Sequence, residues 1–351
     1  MDVTIRGGGV FGLAIGWECL RRGAKVRLIE ALAIGAGASG GIVGALAPHV
    51  PESWNAKKAF QLDALLMADG FWRGVEAAGG LSTGYARTGR LQAVALGGEA
   101  MAAARSQTAG TLWQGKAQWS VEPAQGGWEP VSASGLLIRD TLSARIHPRR
   151  ACLALAAAFV AQGGDLVLGD GVDSGAVVWA TGTAGLADLS AAFGQPVGSG
   201  EKGQALALAF DAAGLPQIQG DGVHIVPHDD GTVAVGSTSE RQYQSATATD
   251  PLLDALHQRA MALVPVLADA KVVARWAGLR PRATTRAPLL GEWPGRTGHF
   301  IANGGFKIGF GIAPKVAEVM ADLLLDGVDR VPAGFRVADA LGHRTNRTGL
   351  G

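Results

Sequence analysis

The sequence predicts an α/β protein in which a parallel sheet flanked by helices is interrupted by an antiparallel sheet. Residues 3–30 have the pattern of a strand, a glycine-rich turn, a helix and a second strand, the unit that builds doubly wound parallel sheets. In later segments, at 204–210, 223–226 and 232–235, apolar residues alternate along the chain as they do in half-buried antiparallel strands. The helical and parallel parts therefore occupy three separate stretches of the chain.

A glycine-rich turn follows the first strand. Gly7, Gly9 and Gly12 have the spacing G-x-G-x-x-G. The first glycine permits a tight turn, the second lets the backbone approach a phosphate, and the third lets the helix lie close to the sheet. A pyrophosphate would then lie at the start of the following helix, where free N–H groups and the positive end of the dipole favour an anion. This pattern predicts a bound dinucleotide.

An acidic residue ends this unit. Glu30 lies 18 residues after Gly12, near the roughly 20-residue spacing of the acid that accepts hydrogen bonds from a ribose. A carboxylate here disfavours a 2′-phosphate, which argues against NADP. The segment that follows, 31–50, is rich in glycine and alanine, so its backbone can approach a ligand closely.

Composition limits the class of protein. The chain has 351 residues, 48% of them hydrophobic and 17% charged, with a net charge of +1. This composition can bury a large core, and it provides no overall field that would attract nucleic acid or an anionic membrane. The first strand begins at once, without room for a signal peptide, and no stretch is long enough to span a bilayer, so we expect a cytoplasmic protein. Cys19 and Cys152 fall in predicted helices, which predicts buried thiols and no metal site.

The remaining elements follow from local signals. Apolar spacing predicts a helix over 56–76. Pro148 stands at the first position of a helix that Gly163 ends, and Asp250 caps a helix that extends to about residue 267. The other predictions are strands at 90–95, 165–168, 176–180, 271–276 and 299–302, helices at 99–107 and 312–326, and an irregular segment at 110–133.

The order of these parts resembles the FAD-dependent D-amino-acid oxidase superfamily, and within it the glycine and sarcosine oxidase branch. The resemblance covers nearly the whole chain, and its most specific motifs lie in the C-terminal half. The motifs are Gly7 to Gly16 with Glu30, Ala38-Ser39-Gly40, Gly44 to Pro48, Ile146-His147-Pro148, Val177 to Gly182, Trp276-Ala277-Gly278-Leu279-Arg280-Pro281, and Gly304 to Pro314.

The resemblance implies a Rossmann-type FAD-binding domain with an interleaved antiparallel-sheet substrate domain. It places the FAD-binding domain at 1–80, 146–200 and 277–345, and the substrate domain at 81–145 and 201–276. FAD should be bound without a covalent link, because neither cysteine lies at the terminal turn. The residues implied for FAD are Gly7, Gly9, Val10, Phe11, Gly12, Glu30, Ser39, Gly40, Ala45, Leu46, Val172, Gly182, Gly305, Phe306, Lys307, Ile308 and Gly309.

The resemblance also implies a substrate site. Arg280 would bind the substrate carboxylate through paired hydrogen bonds. Lys307 stands where the glycine oxidases are expected to have a second arginine, so it contacts either substrate or flavin. His224 takes a position where relatives often have a tyrosine, and His49 would line the same pocket. Both histidines have ordinary structural roles as their alternatives.

The resemblance implies that the start of the last helix stabilises the negative charge that develops in the reaction. The segment Gly309 to Ile312 is predicted to present free N–H groups to the negative charge that develops at a reduced flavin. Pro314, predicted near the first turn of this helix, would cost no hydrogen bond there.

The first functional hypothesis is oxidation of glycine, sarcosine or a D-amino acid to the imine, with oxygen or a quinone as acceptor. A homo-oligomer is compatible with the sequence. A second hypothesis is action on carboxymethylaminomethyl-uridine in tRNA, because the flavin half of a bacterial tRNA-modifying enzyme has motifs similar to Ala38-Ser39-Gly40 and Gly44 to Pro48; a basic cluster is its only other support. A third is a flavin subunit of a hetero-oligomeric amine dehydrogenase. The basic cluster consists of Arg139, Arg145, Arg149 and Arg150.

Overall fold

A computed structural model describes residues 2–342, so the end of the predicted FAD-binding domain at 345 lies outside the described residues. Strands and helices alternate along the chain, with a long insertion of strands in the middle. The elements are β1 (Asp2–Arg6), α1 (Val10–Arg21), β2 (Lys25–Glu30), β3 (Ala45–Leu46), α2 (Ala56–Gly79), β4 (Arg90–Ala93), α3 (Glu99–Trp113), β5 (Trp119–Pro123), β6 (Leu136–Asp140), β7 (Ala144–Arg145), α4 (Pro148–Ala161), β8 (Asp165–Leu168), β9 (Ala176–Trp179), α5 (Gly182–Ala192), β10 (Gly198–Ala209), β11 (Gln217–Gly220), β12 (Val223–Pro227), β13 (Thr232–Gly236), α6 (Pro251–Leu263), β14 (Lys271–Ala283), β15 (Leu289–Glu292), β16 (His299–Asn303), α7 (Gly309–Asp326) and α8 (Val337–Gly342).

A six-stranded sheet organises the first part of the molecule. Its order is β15-β16-β9-β1-β2-β8, and all pairs are parallel except β15 with β16. β1 is buried on both faces, which agrees with its run of apolar residues. α1 packs between α4 and α7, and Gly16 lets the ring of Phe159 approach that helix closely. This is the doubly wound arrangement that the first strand and turn predicted.

An eight-stranded sheet forms the second part. Its order is β14-β10-β13-β12-β11-β4-β6-β5, antiparallel throughout except where β11 pairs with β4. One face carries a cluster of leucines, isoleucines and valines that includes residues of α6. Because side chains alternate across a strand, the residues between them occupy the opposite face. That face carries His224 on β12, one of the predicted substrate residues.

The structure corrects several boundaries. The helix predicted over 99–107 extends to Trp113, and the segment predicted to be irregular contains β5. The strand predicted to end at Trp276 continues to Ala283, so Arg280 lies inside a strand. β10 and β14 pair along their whole lengths, so the boundaries placed at 200/201 and 276/277 each fall inside a strand. The division into two domains stays a prediction.

Residues 2–342 contain neither a membrane-spanning helix nor a metal-binding cluster. Within residues 2–342 no helix combines the length and the apolar character that crossing a membrane requires. The same residues contain no group of three or more His, Cys, Asp or Glu side chains arranged to hold a metal ion. Cys19 and Cys152 are free and buried, and burial raises the pKa of each thiol to about 12.

Candidate active site

The turn between β1 and α1 forms a cradle that only glycine can make. Gly7 has a φ of 111°, and a Cβ there would collide with the carbonyl of Ala180. A Cβ on Gly12 would collide with the carbonyl oxygen of Gly7, and one on Gly9 would lie 3.2 Å from Ser39 Oγ. The start of α1 is therefore open to a ligand that lies against the backbone.

Two side chains complete this cradle. Val10 donates its N–H to Ser39 Oγ at 3.0 Å, which fixes the short helical turn Ala38–Gly40 beside α1. Glu30 accepts the N–H of Gly8 at 2.6 Å and that of Leu32 at 2.9 Å. These bonds hold the Glu30 carboxylate at the carboxyl end of β2, where the sequence predicted a ribose contact.

The C-terminal turn lies against the same cradle. A Cβ on Gly305 would lie 2.8 Å from the ring of Phe11, so residues almost 300 positions apart are in contact. Gly304 and Phe306 have φ values of 74° and 44°. Ile308 donates its N–H to the carbonyl of Gly305 at 3.0 Å and so closes the turn before α7.

The start of α7 corrects two predictions. The helix begins at Gly309, and Ile312 already donates its N–H to the carbonyl of Ile308 at 3.1 Å. The free N–H groups are thus those of Gly309, Phe310 and Gly311, and no side chain among residues 2–342 caps them. Pro314 is the sixth residue of the helix, so the carbonyl of Phe310 loses an intrahelical partner.

Arg280 is held by the chain around it. Its Nη1 donates to Ser237 Oγ at 2.6 Å, and its Nη2 donates to the carbonyls of Thr238 at 2.5 Å and Lys202 at 3.3 Å. The guanidinium lies against Gly203, where a Cβ would collide with it. Its Nε is buried without a hydrogen-bond partner within the described part of the chain.

Three cations surround the ring of Phe306. Arg280, Arg282 and Lys307 lie 5.6, 5.4 and 5.5 Å from its centroid. Arg282 pairs with Glu201 at 3.1 Å. Burial, and then the charge of Arg280, lower the pKa of Lys307. An anionic ligand at this point would relieve the repulsion between Arg280 and Lys307.

The two predicted histidines both have a lowered pKa. Burial, followed by the charges of Arg90, Lys307 and Arg280, lowers the pKa of His224 to about 4, so its ring is neutral at pH 7. Burial and the nearby Lys57 lower the pKa of His49. The charge of Arg90 contributes to both shifts, and a substrate contact of either histidine stays a prediction.

The other predicted cofactor residues lie in local structures of different kinds. Ala45 and Leu46 form β3, which pairs with β7. Gly182 has a φ of 58° and begins α5 after β9. The side chain of Val172 is 77% exposed, and its carbonyl accepts a hydrogen bond from Arg27. A contact of Val172 with FAD stays a prediction.

The predicted basic cluster is dispersed. Arg139 pairs with Glu122 at 2.7 Å, and Arg150 pairs with Asp229 at 2.6 Å. Arg145 is buried and donates to the carbonyl of Gly84, while Arg149 donates to the carbonyl of Gly40. These side chains are engaged in ion pairs and hydrogen bonds within the described residues, so the basic cluster gives the tRNA hypothesis no support.

Sequence reasoning missed the groups that hold the substrate residues. No motif marks Ser237 or Thr238 as partners of Arg280. Gly203 carried a signal, since a glycine inside a strand often marks a close approach. Arg90 and Gln219 lie on the face of the eight-stranded sheet opposite its apolar cluster, since their neighbours Leu91 and Ile218 belong to that cluster. Arg90 donates to Gln219 Oε1 at 2.6 Å.

Comparison with known proteins identifies the family. The profile of the family described as FAD dependent oxidoreductase matches residues 2–323. The chain belongs to this family. It is 32% identical to a putative thiamine biosynthesis oxidoreductase of Rhizobium etli, over 93% of this chain and 97% of the relative. It is 34% identical to glycine oxidase of Pseudomonas aeruginosa, in an alignment that spans only 38% of each chain.

A solved structure agrees over the whole length. Glycine oxidase of Geobacillus kaustophilus superposes with a TM-score of 0.81 at 25% identity, over 96% of this chain and 98% of that one. The family establishes FAD as the cofactor, and the relatives place the chain in the glycine-oxidase-like branch, among the amine and amino-acid oxidoreductases. The glycine cradle, Glu30 and the open start of α7 fit that cofactor.

Proposed function

We propose that this protein oxidises a small amino acid or a secondary amine to the imine. The observation that supports the proposal best is the position of Arg280, which is buried, fixed by three acceptors and next to the turn that starts α7. A buried guanidinium whose Nε lacks a partner among residues 2–342 suits a ligand carboxylate. The similarity to glycine oxidases supports a small amino-acid substrate.

The chain's own residues have separate tasks in this reaction. Arg280 binds the substrate carboxylate, and Lys307 adds a second positive charge on the same side of Phe306. This orients the carbon–hydrogen bond next to the amine. FAD, when bound, supplies the acceptor for the hydride. The N–H groups of Gly309, Phe310 and Gly311 stabilise the negative charge that accompanies the transfer.

His224 has a positioning task and not an acid–base one at neutral pH. Its low pKa keeps the ring uncharged, so it can accept a hydrogen bond from the substrate amine without repelling a cation. The proton of an ammonium substrate leaves before the carbon–hydrogen bond breaks, because only the neutral amine has the lone pair that forms the C=N bond of the imine.

The proposal is tested by anaerobic reduction of the purified, FAD-loaded protein. Glycine, sarcosine and D-alanine are added in turn, and the flavin absorbance is followed. We expect bleaching by at least one of them, and none by propylamine, which lacks the carboxylate. Failure of all the amino acids to bleach the flavin would contradict the proposal. Turnover by the chain alone would exclude a subunit that depends on a partner.

The electron acceptor is tested in the same preparation. Reduced protein is mixed with air-saturated buffer, and peroxide is measured against the reduction of a soluble quinone. Rapid peroxide release identifies an oxidase. Reoxidation by the quinone alone identifies a dehydrogenase.

A further inference from the structure

The face of the eight-stranded sheet opposite the apolar cluster on α6 carries further polar side chains, several strands away from Arg280. In the register of β12, His224 lies opposite Gln219 on one side and opposite Gly236 on the other. Their neighbours Ile218 and Ile225 belong to the core that packs on α6. His224 and Gln219 therefore point away from that core, toward the candidate substrate space.

On the two strands beside His224, one side chain near it accepts a hydrogen bond from Arg90 and another from Arg280. Gln219 accepts a hydrogen bond from Arg90 Nη1 at 2.6 Å. On the other side, Ser237, which follows Gly236, accepts one from Arg280 Nη1 at 2.6 Å. Adjacent strands lie about 4.8 Å apart, so roughly 10 Å separates these two anchoring points. His224 lies between the two guanidinium groups.

Arg90 is built into the sheet as firmly as Arg280. It is 4% exposed, and its Nε donates to Asp140 at 2.8 Å. Asp140 is completely buried and also accepts the N–H and the hydroxyl of Ser143. Arg90 Nη2 is buried and has no acceptor in the part of the chain that the structure describes. The guanidinium also lies over the ring of Trp119, 5.7 Å from its centroid, so Nη2 alone is left without an acceptor among the described residues.

A substrate such as glycine or sarcosine engages only the Arg280 end. The second guanidinium, the amide of Gln219 and the ring of His224 would then face a substrate without an acceptor for them. Buried donors without acceptors are rare because desolvation is costly. Two carboxylates separated by four bonds, each with a hydrogen bond of about 2.8 Å, extend over a gap of this order.

We propose that the preferred substrate is an amine with two carboxylates, one bound by Arg280 and the other by Arg90 and Gln219. This inference rests on the proposed function, since it names the substrate class of the same site. The reaction itself is unchanged. The carbon–hydrogen bond next to the amine loses a hydride to FAD, the amine loses a proton, and the imine is hydrolysed in water.

The test compares two substrates that differ by one carboxylate. Sarcosine is N-methylglycine, and iminodiacetate is N-carboxymethylglycine. We expect kcat/KM for iminodiacetate to exceed that for sarcosine by at least tenfold in the wild-type protein. Equal values, or a preference for sarcosine, would overturn the inference and leave the proposed function intact. No reduction by either substrate would overturn both.

Two variants assign the effect to this end of the pocket. Arg90→Lys keeps the charge beside Asp140 but loses the planar fork, and Gln219→Leu removes the amide. Each should bring the preference for iminodiacetate below threefold. The matched control is Arg139→Lys on β6, whose side chain pairs with half-buried Glu122 and which should retain the preference. If Arg90→Lys fails to fold, Gln219→Leu decides the question, and an unchanged preference in it would overturn the inference.

Discussion

Gly203 controls the position of Arg280, so adding one methyl group there should separate substrate binding from folding. A Cβ on Gly203 would lie 2.5 Å from Arg280 Nη1 and nearer still to Cζ. The guanidinium is the end of a flexible side chain, so it can move without displacing backbone. Gly203→Ala should therefore keep the fold and the FAD content while displacing the Arg280 guanidinium that binds the substrate carboxylate.

The size of the effect follows from the hydrogen bonds at risk. Hydrogen bonds to charged groups contribute about 1.5–3 kcal/mol. Losing one such contact to the substrate carboxylate lowers kcat/KM roughly 10- to 150-fold. The thermal midpoint should change by only a few degrees, because the displaced atoms are not part of a core. Anaerobic flavin reduction at a series of substrate concentrations measures the loss directly.

Two further variants make the reasoning refutable. Gly214→Ala is the matched control, since a Cβ there meets nothing within 4 Å and the variant should behave as wild type. Arg280→Met should lose activity on its own, and adding Gly203→Ala to it should cause no further loss, because both act through one contact. An unchanged kcat/KM in Gly203→Ala, or an additive double variant, would refute the role given to Arg280.

Three other predictions concern the cofactor and the pH dependence. Acid precipitation should release all the flavin into the supernatant, because the FAD is not covalently bound; a yellow pellet would contradict this. Glu30→Ala should weaken FAD binding roughly tenfold in an equilibrium titration, since it removes the carboxylate that accepts from Gly8; an unchanged affinity would show that Glu30 does not contact the ribose. Burial lowers the pKa of His228 to about 4, so between pH 6.5 and 4 the unfolded state binds the extra proton and stability falls as the pH falls. Between pH 7 and pH 5 the contribution of His228 should lower the free energy of unfolding by about 2 kcal/mol. His228→Asn should remove this contribution from the pH dependence measured by urea unfolding.

The nucleotide-binding half was predictable because its signals are local. The strand, the glycine spacing and Glu30 follow one another within 30 residues, and each constrains the backbone by sterics or charge. The turn at Gly305 was also predicted. Its contact with the ring of Phe11 was not, because it joins elements at opposite ends of the chain and depends on the order of strands in the sheet.

The strand that carries Arg280 shows why the substrate half was less predictable. Gly278 and Pro281 suggest that the strand stops at Trp276, since proline cannot donate to a ladder and glycine weakens a strand. β14 is the edge strand of its sheet and pairs with β10 alone, so its other side needs no donor from Pro281. The carbonyl of Pro281 instead accepts the N–H of Phe306 at 3.1 Å. The edge position therefore tolerates the proline and also joins the substrate sheet to the turn before α7. This bond holds Phe306 beside the strand that carries Arg280 and accounts for the short distance between the two side chains.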